Sequence, residues 1–523
     1  MVGMDTLLLS AYFAVLLALA VLGMHRYLMV FLYYRYRHRR PVPSARFHKL
    51  PKVTVQLPVY NELYVVERLI DAVSAFDYPR DRLEIQVLDD STDDTAVVAQ
   101  RRCEYHRERG VDIHYLHRQD RTGFKAGALA AGLQTASGEL IAIFDADFVP
   151  GESFLEDTVH YFTDGDVGMV QARWGHLNSD YSLLTRIQTI LLDAHFVLEH
   201  GGRNRSRCFF NFNGTAGVWR RKAIDEAGGW QHDTLTEDMD LSYRAQLRGW
   251  RFVFLADVVA PAEIPVAMNA FKSQQHRWSK GSIQTARKLL PKILASPLPL
   301  RVKTEAVFHL SANLAYPLMV ALSLLIFPSL LVRFNMGWHE MLLFDVPLFF
   351  AATMSVTSFY VVSQREIYRD WKRRLKVLPM LLSLGIGMCL NNARAVMEAL
   401  LGKESGFVRT PKYRIESTED SWQIKRYRGR KSYLPYVELA FGFYFTATVA
   451  YAVVNQIYGS LPFLLLFQVG FLYTGALSLS ENRQSKERQP VSAYGIPDSV
   501  AVSLPLHAPS PPAATLFRES DLT

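Results

Sequence analysis

The chain has 523 residues, 49% of them hydrophobic, with 58 Lys and Arg against 50 Asp and Glu and a formal net charge of +8. Much of that excess sits in short basic runs beside apolar stretches, where it meets anionic lipid headgroups, so it is not read as nucleic-acid binding. Cys103, Cys208 and Cys389 are far apart and form no CxxC pair, which excludes a disulfide framework and a zinc site and fits a reducing cytosol.

In chain order, Thr6 to Met24 carries no charge over 19 residues, close to the ~20 that cross a bilayer core. Met1 to Asp5 holds no Lys or Arg and no small-residue cleavage site follows, so a membrane helix is expected rather than a signal peptide. The positive run Arg35 to Arg40 then places the chain from residue 35 onward on the cytoplasmic side.

From Pro41 to about Pro291, strand and helix patterns alternate as in an α/β domain. Val53–Leu57 reads as a strand ended by Pro58, and Tyr60, Asn61 and Glu62 lie in the loop before an amphipathic helix. Ile85–Leu88 is a second strand that runs into Asp89 and Asp90, with Ser, Thr and Asp N-cap residues for the next helix. Ile113–Leu116 is a third, and Gly123 to Lys125 opens another helix. A fourth, Leu140 to Phe144, delivers Asp145 and Asp147 at its C-terminal end. Right-handed crossovers put all these loops on one edge of a parallel sheet, where open α/β folds bind ligands. Two aspartates there offer hard oxygen ligands to Mg²⁺ or Mn²⁺ beside a diphosphate, although the same dipeptide pattern also occurs in turns. No GxGxxG follows the first strand and no GxxxxGK[ST] occurs, which argues against a dinucleotide fold and a P-loop ATPase.

Thr236 is placed as an N-cap, with Glu237, Asp238 and Asp240 in the first turn of the helix that follows, where the helix dipole favours negative charge. Phe252–Leu255 is a further strand. Gln274, Arg277 and Trp278 then begin a basic amphipathic stretch to Lys292, expected at the membrane surface. Ala306–Val332, Met341–Val362, Tyr433–Tyr458 and Leu461–Leu479 are long and apolar enough to span, for five spans in all. Val377–Leu401 is expected to be interfacial or re-entrant, because Asn391, Asn392, Arg394 and Glu398 are costly at a bilayer centre and the following segment is basic. Asn313, Tyr316, Asn391 and Arg394 are candidates for tunnel or interhelical contacts.

The clusters Val-Leu-Asp-Asp-Ser-Thr-Asp, Ala-Ile-Phe-Asp-Ala-Asp-Phe, Val-Gln-Ala-Arg-Trp, Phe-Asn-Gly-Thr-Ala-Gly-Val-Trp-Arg, Thr-Glu-Asp and Gln-Gln-His-Arg-Trp-Ser stand in this order. Over residues 50 to 480 the chain resembles the processive family 2 glycosyltransferases of the cellulose synthase superfamily. The wording is most similar to the plant cellulose-synthase-like A and C groups, makers of mannan or glucomannan backbones and of the xyloglucan glucan backbone. The resemblance implies an α/β fold: a GT-A type nucleotide-sugar-binding domain with a mainly parallel central sheet, plus an α-helical transmembrane domain.

It also implies roles. Tyr60, Asn61, Glu62 and Asp90 would hold the nucleoside, and Lys125 would lie near the base and ribose or the diphosphate. Asp145 and Asp147 would bind Mg²⁺ or Mn²⁺, and Asp238, with Glu237 beside it, would be the general base. Asn213, Gly214 and Thr215 would line the acceptor site, while Gln274, Arg277 and Trp278 would meet the polymer end and the departing diphosphate. Phe407 to Lys412 resembles a gating loop, with Thr410 and Lys412 over the donor. The activity implied is processive, inverting transfer of hexose from GDP-mannose or UDP-glucose to a growing β-1,4-linked polysaccharide, with its passage across the membrane. The protein would be multi-pass, with a cytosolic catalytic domain, in a bacterial inner membrane or a Golgi-type membrane. A non-processive hexosyltransferase with a lipid acceptor, and an inactive transporter or scaffold, are the alternatives.

The domain boundaries expected are 1–40 for the first membrane helix and its basic flank and 41–295 for the catalytic domain. The channel domain follows at 296–480, with the gating-loop-like segment at 402–416, and a disordered tail rich in Ser, Pro and Ala at 481–523.

Overall fold

The computed structural model describes residues 2–337, 342–404, 406, 409–417, 419–423, 425, 427 and 432–487. A seven-stranded sheet forms the centre of the first half: β1 (Val53–Val59), β2 (Leu83–Asp89), β3 (Ile113–His117), β4 (Leu140–Ile143), β5 (Val167–His176), β6 (Gly217–Arg220) and β7 (Arg251–Ala262). Their spatial order is β3-β2-β1-β4-β6-β5-β7. The first four strands expected from sequence form the parallel half, in which β1 pairs with β2 on one side and β4 on the other; the fifth, Phe252–Leu255, lies in β7. The order reverses at β1 and β4, and the crevice above such a reversal is where open sheets bind ligands. The other half is mixed, because β6 runs antiparallel to both β4 and β5.

Burial on both faces explains the continuous apolar composition of the central strands. Val53, Val55, Val87 and Phe144 pack towards one layer of helices, and Ile141, Ile143 and Trp219 towards the other. The polar residues inside β1 and β2 satisfy one another: the Thr54 hydroxyl donates to Glu84 at 2.6 Å and the Gln56 amide to Gln86 at 3.0 Å. Buried polar groups are retained in a core when paired in this way.

The helices that matter for the site are α1 (Val2–Arg35), α2 (Glu237–Leu247) and α3 (Met268–Ala295), followed by α4 (Ala315–Asn335) and α5 (Leu342–Ile367). The last four are α6 (Leu378–Gly387), α7 (Cys389–Leu400), α8 (Leu434–Val454) and α9 (Leu461–Glu487). α1 packs on α4 and α5, α8 pairs with α9, and α3 lies against α7 and the N-terminal turns of α2. Among the described residues, Gly3–Arg35, Leu300–Asn335, Trp371–Leu400, Leu434–Val454 and Tyr458–Arg483 are long and apolar enough to cross a membrane. The expected span Met341–Val362 falls largely within α5, while Met341 itself lies outside the described residues.

Two expectations need correction. Trp371–Leu400 is long and apolar enough to cross a membrane by length and composition, and within it the segment expected to be interfacial or re-entrant consists of two short helices, α6 and α7, separated at Met388. Of the polar residues that argue against spanning, three are taken up by protein: the Asn391 amide donates to the Lys272 carbonyl at 2.9 Å, Asn392 is buried, and Glu398 accepts from Lys280 at 3.2 Å; Arg394 is exposed and donates to Glu398 at 3.0 Å. The tail does not start at 481, since α9 continues to Glu487. Glu481 is held there because its carboxylate accepts from the Met268 and Asn269 N–H groups at 2.6 and 3.0 Å, capping the first turn of α3. Residues 488–523 lie outside the described residues. Thr236 does occupy the N-cap position of α2, but its side chain makes no capping bond and pairs with the Thr285 hydroxyl of α3 at 3.2 Å.

That last contact is close. A Cβ at Gly281 of α3 would stand 2.5 Å from Thr236 Cγ2 and 2.9 Å from its backbone nitrogen. Gly281→Val is therefore expected to separate α2 from α3 and lower stability by about 1–3 kcal/mol. Thermal unfolding of the detergent-purified protein measures this, and an unchanged midpoint contradicts it.

Candidate active site

One cleft opens at the C-terminal ends of β1 and β4, and its walls come from stretches far apart in the chain. Among them are Pro58 to Tyr60 with Glu62, Lys125, Asp145 to Phe148, Asn213 with Gly214, Leu235 to Asp238, Glu263, Gln274 with Arg277 and Trp278, and Arg409, Thr410 and Lys412. Of the residues expected at the site, Tyr60, Glu62, Asp90, Lys125, Asn213, Gly214, Glu237, Thr410, Lys412 and both aspartates of the fourth strand end line it, as do Asp238, Gln274, Arg277 and Trp278.

Two are not at its surface. Asn61 turns away in a left-handed conformation (φ 53°), its N–H donating to Ser91 at 2.8 Å and its side chain bonded to the Thr92 backbone N–H. Thr215 is fully buried, and its hydroxyl accepts from the Asp145 N–H at 2.9 Å. Both hold loops whose other residues reach the cleft. Of the adjacent acids after β2, Asp89 is spent on structure, accepting from Tyr115 and the Ser91 N–H, while Asp90 faces the cleft and is gripped by the Arg118 guanidinium at 2.8 and 2.6 Å.

At the centre, the Lys125 ammonium donates to Asp145 and to the Gly214 carbonyl, the latter at 2.9 Å. Gly214 has φ +78°, and a Cβ there would lie 3.1 Å from Asp238 Oδ2 and 3.4 Å from Lys125 Nζ. Only a residue without a side chain lets this loop lie against the acid and the amine together. Burial pushes the Asp238 carboxyl up to about 7, helped by Glu237 next to it and opposed by Lys125. Glu237 is also raised, again chiefly by burial. Burial pulls on Lys125 in the opposite sense, but Asp145 and Glu237 outweigh it and keep the ammonium charged. At ordinary pH, Asp238 therefore stands where a carboxylate exchanges a proton readily.

Asp147 is paired with Lys412 at 2.6 Å, and the same ammonium donates to the Glu263 carbonyl at 2.7 Å. Among the described residues, no three His, Cys, Asp or Glu side chains gather as a metal cage. Two carboxylates at a sheet edge nevertheless suit a divalent ion that takes its remaining ligands from phosphate and water. Lys125 and Lys412 occupy the carboxylates in the way a cation would.

Two residues that sequence patterning did not single out close the site. The Arg409 guanidinium holds both oxygens of Glu62, each at 2.9 Å, with the Tyr427 ring 4.1 Å from its centre. Glu263, just past β7, accepts from the N–H groups of Tyr413 and Arg414 at 2.9 and 2.7 Å. Arg68 adds a bond to Glu416 at 2.6 Å. The gating-loop-like segment is thus strapped across the sheet edge; its Phe407 and Val408 lie outside the described residues. Arg409 and Glu62 are 347 positions apart, so no local pattern announces the pair.

Residues 51–281 match the family model described as glycosyltransferase like family 2. The chain is 46% identical over 257 residues to glucomannan 4-beta-mannosyltransferase 1 of Oryza sativa subsp. japonica, covering 48% of this chain and 49% of that one. It is 45% identical over 249 residues to glucomannan 4-beta-mannosyltransferase 2 of Arabidopsis thaliana, covering 47% of each. These alignments span about half the length of the relatives. A longer one reaches the probable glucomannan 4-beta-mannosyltransferase 7 of Oryza sativa subsp. japonica, 35% identical over 450 residues, 81% of this chain and 74% of that one. Among solved structures, a mannosyltransferase of Pyrobaculum calidifontis in complex with GDP-mannose and Mn²⁺ superposes with a TM-score of 0.53 at 22% identity, covering 75% of this chain and 99% of that one. That likeness establishes a shared fold.

Arg409→Ala is expected to let Glu62, which burial already pushes up to about 7 with the guanidinium in place, take up a proton, and to loosen the strap by removing the paired hydrogen bonds. Hydrogen exchange of residues 409–416 should rise at least about tenfold while β1 is unaffected. Unchanged exchange in 409–416 contradicts the role given to this pair.

Proposed function

Because the chain belongs to the family 2 glycosyltransferases, in the cellulose-synthase-like group of the glucomannan 4-beta-mannosyltransferases, we propose that it is a membrane-embedded inverting hexosyltransferase that elongates a β-1,4-linked polysaccharide. The donor we favour is GDP-mannose, with UDP-glucose as a second substrate. The mannosyltransferase relatives and the GDP-mannose in the Pyrobaculum structure support that choice. The observation that carries the reading is the placement of Asp238 in the cleft: an acid raised to about 7 beside Lys125 and Asp145.

In this reading Asp238 Oδ2, the oxygen next to Gly214, takes the proton of the acceptor hydroxyl as that oxygen forms its bond to the anomeric carbon. The bond from that carbon to the diphosphate breaks on the opposite face, giving a β product from an α-linked donor. The hydroxyl needs only modest activation, since the attacked carbon is oxocarbenium-like, and a carboxylate of this basicity suffices. Lys125 and Arg277 lie on the side of the acidic cluster and offset charge on the leaving diphosphate. Trp278 offers a flat apolar face to a sugar ring. Asp145 and Asp147 would hold the divalent ion, Mg²⁺ or Mn²⁺, which when bound neutralises the diphosphate. Lys412 would exchange Asp147 for a donor phosphate.

The membrane helices then give the elongating chain its route out. The enzyme would sit in a bacterial inner membrane or a Golgi-type membrane with the cleft on the cytosolic side. The basic runs at Arg35–Arg40 and Arg365–Lys376 support that orientation.

Membranes containing the protein, given labelled GDP-mannose and Mn²⁺ or Mg²⁺, are expected to make a long polymer insoluble in lipid solvents, and chelation of the metal to stop it. Label confined to one-sugar lipid products contradicts processive synthesis. Asp238→Asn is expected to lower elongation by at least about 10²-fold with donor affinity nearly unchanged. In the wild type kcat/KM should fall as pH drops through about 7, because protonation of Asp238 removes the base. A profile flat from pH 6 to pH 8 contradicts the assignment.

A further inference from the structure

The loops that reach the cleft follow the spatial order of the strands, β3-β2-β1-β4. Asp145 and Asp147 follow β4, Tyr60 follows β1, Asp90 follows β2 and Arg121 follows β3, and all of them line the cleft. With a diphosphate at Asp145 and Asp147 and the transferred sugar towards Asp238, the nucleoside lies on the opposite side, over Tyr60, Asp90 and Arg121.

The cations near that end differ in their seats. Lys125 donates to Asp145, Arg409 to Glu62 and Arg118 to Asp90, so each grips a carboxylate. The half-buried Arg121 instead has its guanidinium carbon 3.4 Å from the centre of the half-buried Tyr60 ring, with the Phe124 ring at 4.9 Å. A guanidinium standing on edge would drive a nitrogen into the ring at that separation, so it lies flat on Tyr60. Its N–H groups then point outward in a plane parallel to the ring, and a planar base in the same layer meets them edge-on. The loop that presents Arg121 is firmly built: Arg118 donates to the Thr122 and Phe124 carbonyls at 3.4 and 3.1 Å, and the Thr122 N–H donates to Asp120 at 2.9 Å. Gly123 and Phe124 are consecutive left-handed residues, at φ 75° and 50°. For a residue with a side chain, that conformation costs free energy and is found at ligand clamps.

We infer that Arg121 selects the base of the donor: its guanidinium, supported on Tyr60, donates to O6 and N7 of guanine and so favours a guanosine over a uridine diphosphate sugar. Guanine carries these two acceptors side by side on one edge, the spacing that a guanidinium fork meets with two parallel bonds. Uracil has O4 beside a ring C–H and satisfies one arm of the fork only. The inference rests on the glycosyl-transfer reading above, and it gives the preference for GDP-mannose a residue of this chain.

The test is equilibrium binding of GDP, UDP and 7-deaza-GDP, in which a C–H replaces N7, to the detergent-purified full-length protein with Mn²⁺, alongside sugar transfer by the same preparation. The wild type is expected to bind GDP at least about tenfold more tightly than UDP, the scale of one bidentate base contact, and 7-deaza-GDP about fivefold more weakly than GDP. Arg121→Ala should weaken GDP about tenfold, change UDP by less than about threefold, and bind GDP and 7-deaza-GDP alike. Arg121→Lys, which keeps the charge but not the fork, should lose most of the preference for GDP. A wild type that does not distinguish GDP from 7-deaza-GDP overturns the inference whatever the variants do. Equal losses of GDP and UDP in Arg121→Ala, or a preference for GDP kept intact in Arg121→Lys, overturn it as well. A preparation that binds GDP with the expected selectivity yet transfers no sugar from any nucleotide donor defeats the glycosyl-transfer reading and leaves the base contact standing; one that binds neither nucleotide overturns both.

Discussion

The crowding of carboxylates at the carboxyl edge of β1 and β4 is the constraint on which the rest depends. Glu237 and Asp238 are drawn largely out of water within reach of the half-exposed Asp145, an arrangement that costs free energy unless cations share the space. Lys125 stands among them, Arg277 approaches from α3, and Lys412 and Arg409 are delivered from more than a hundred residues further along. The sheet reversal, the bare Cα of Gly214 and the close seat of Thr236 on Gly281 all serve to admit these groups to one cleft. A diphosphate that draws off Lys125 and Lys412 leaves Asp145 and Asp147 in need of another cation, so the cleft suits a divalent ion and a diphosphate in combination.

The same demand ties the catalytic half to the membrane half. α3 is a single helix of 28 residues, about 42 Å long at 1.5 Å per residue. Its first turn is capped by Glu481 and anchored by Lys272, whose ammonium donates to Glu438 and Ser478 at 2.6 and 2.7 Å. One turn later come Gln274, Arg277 and Trp278, and beyond them Gly281 under the start of α2. One helix thus links α8 and α9 to the start of α2, where Asp238 sits. The strap from Arg409 to Glu416 provides a second link, closing over the cleft from the polypeptide between α7 and α8.

Much of the parallel half of the sheet was legible in the sequence, since β1 to β4 are short apolar runs that end in polar loops and the crossover rule sends those loops to one edge. Glu237, Asp238 and Asp240 were legible as the first turn of a helix. β5 and β6 were not, because a strand with a bulge and a strand of four residues carry little periodicity and are stabilised by their partners. Thr236 holds the N-cap position its sequence context indicates, but its hydroxyl pairs with that of Thr285, 49 positions away, and makes no capping bond. Glu481 has no local pattern that ties it to α3, whose first N–H groups it accepts from 213 and 212 positions away. Arg409 with Glu62, Glu263 with the strap, and Arg121 with Tyr60 are long-range pairings, and single-sequence patterns record only neighbours along the chain.

The central claim is that Asp238 activates an acceptor hydroxyl for attack opposite the departing diphosphate, which inverts the anomeric carbon. The anomeric configuration of the product reports this directly. Polymer made by membranes of this protein from GDP-mannose should be degraded to short oligosaccharides by an endo-acting β-1,4-mannanase and show β-anomeric one-bond C–H couplings by NMR. An α-linked product that resists the mannanase would contradict the account.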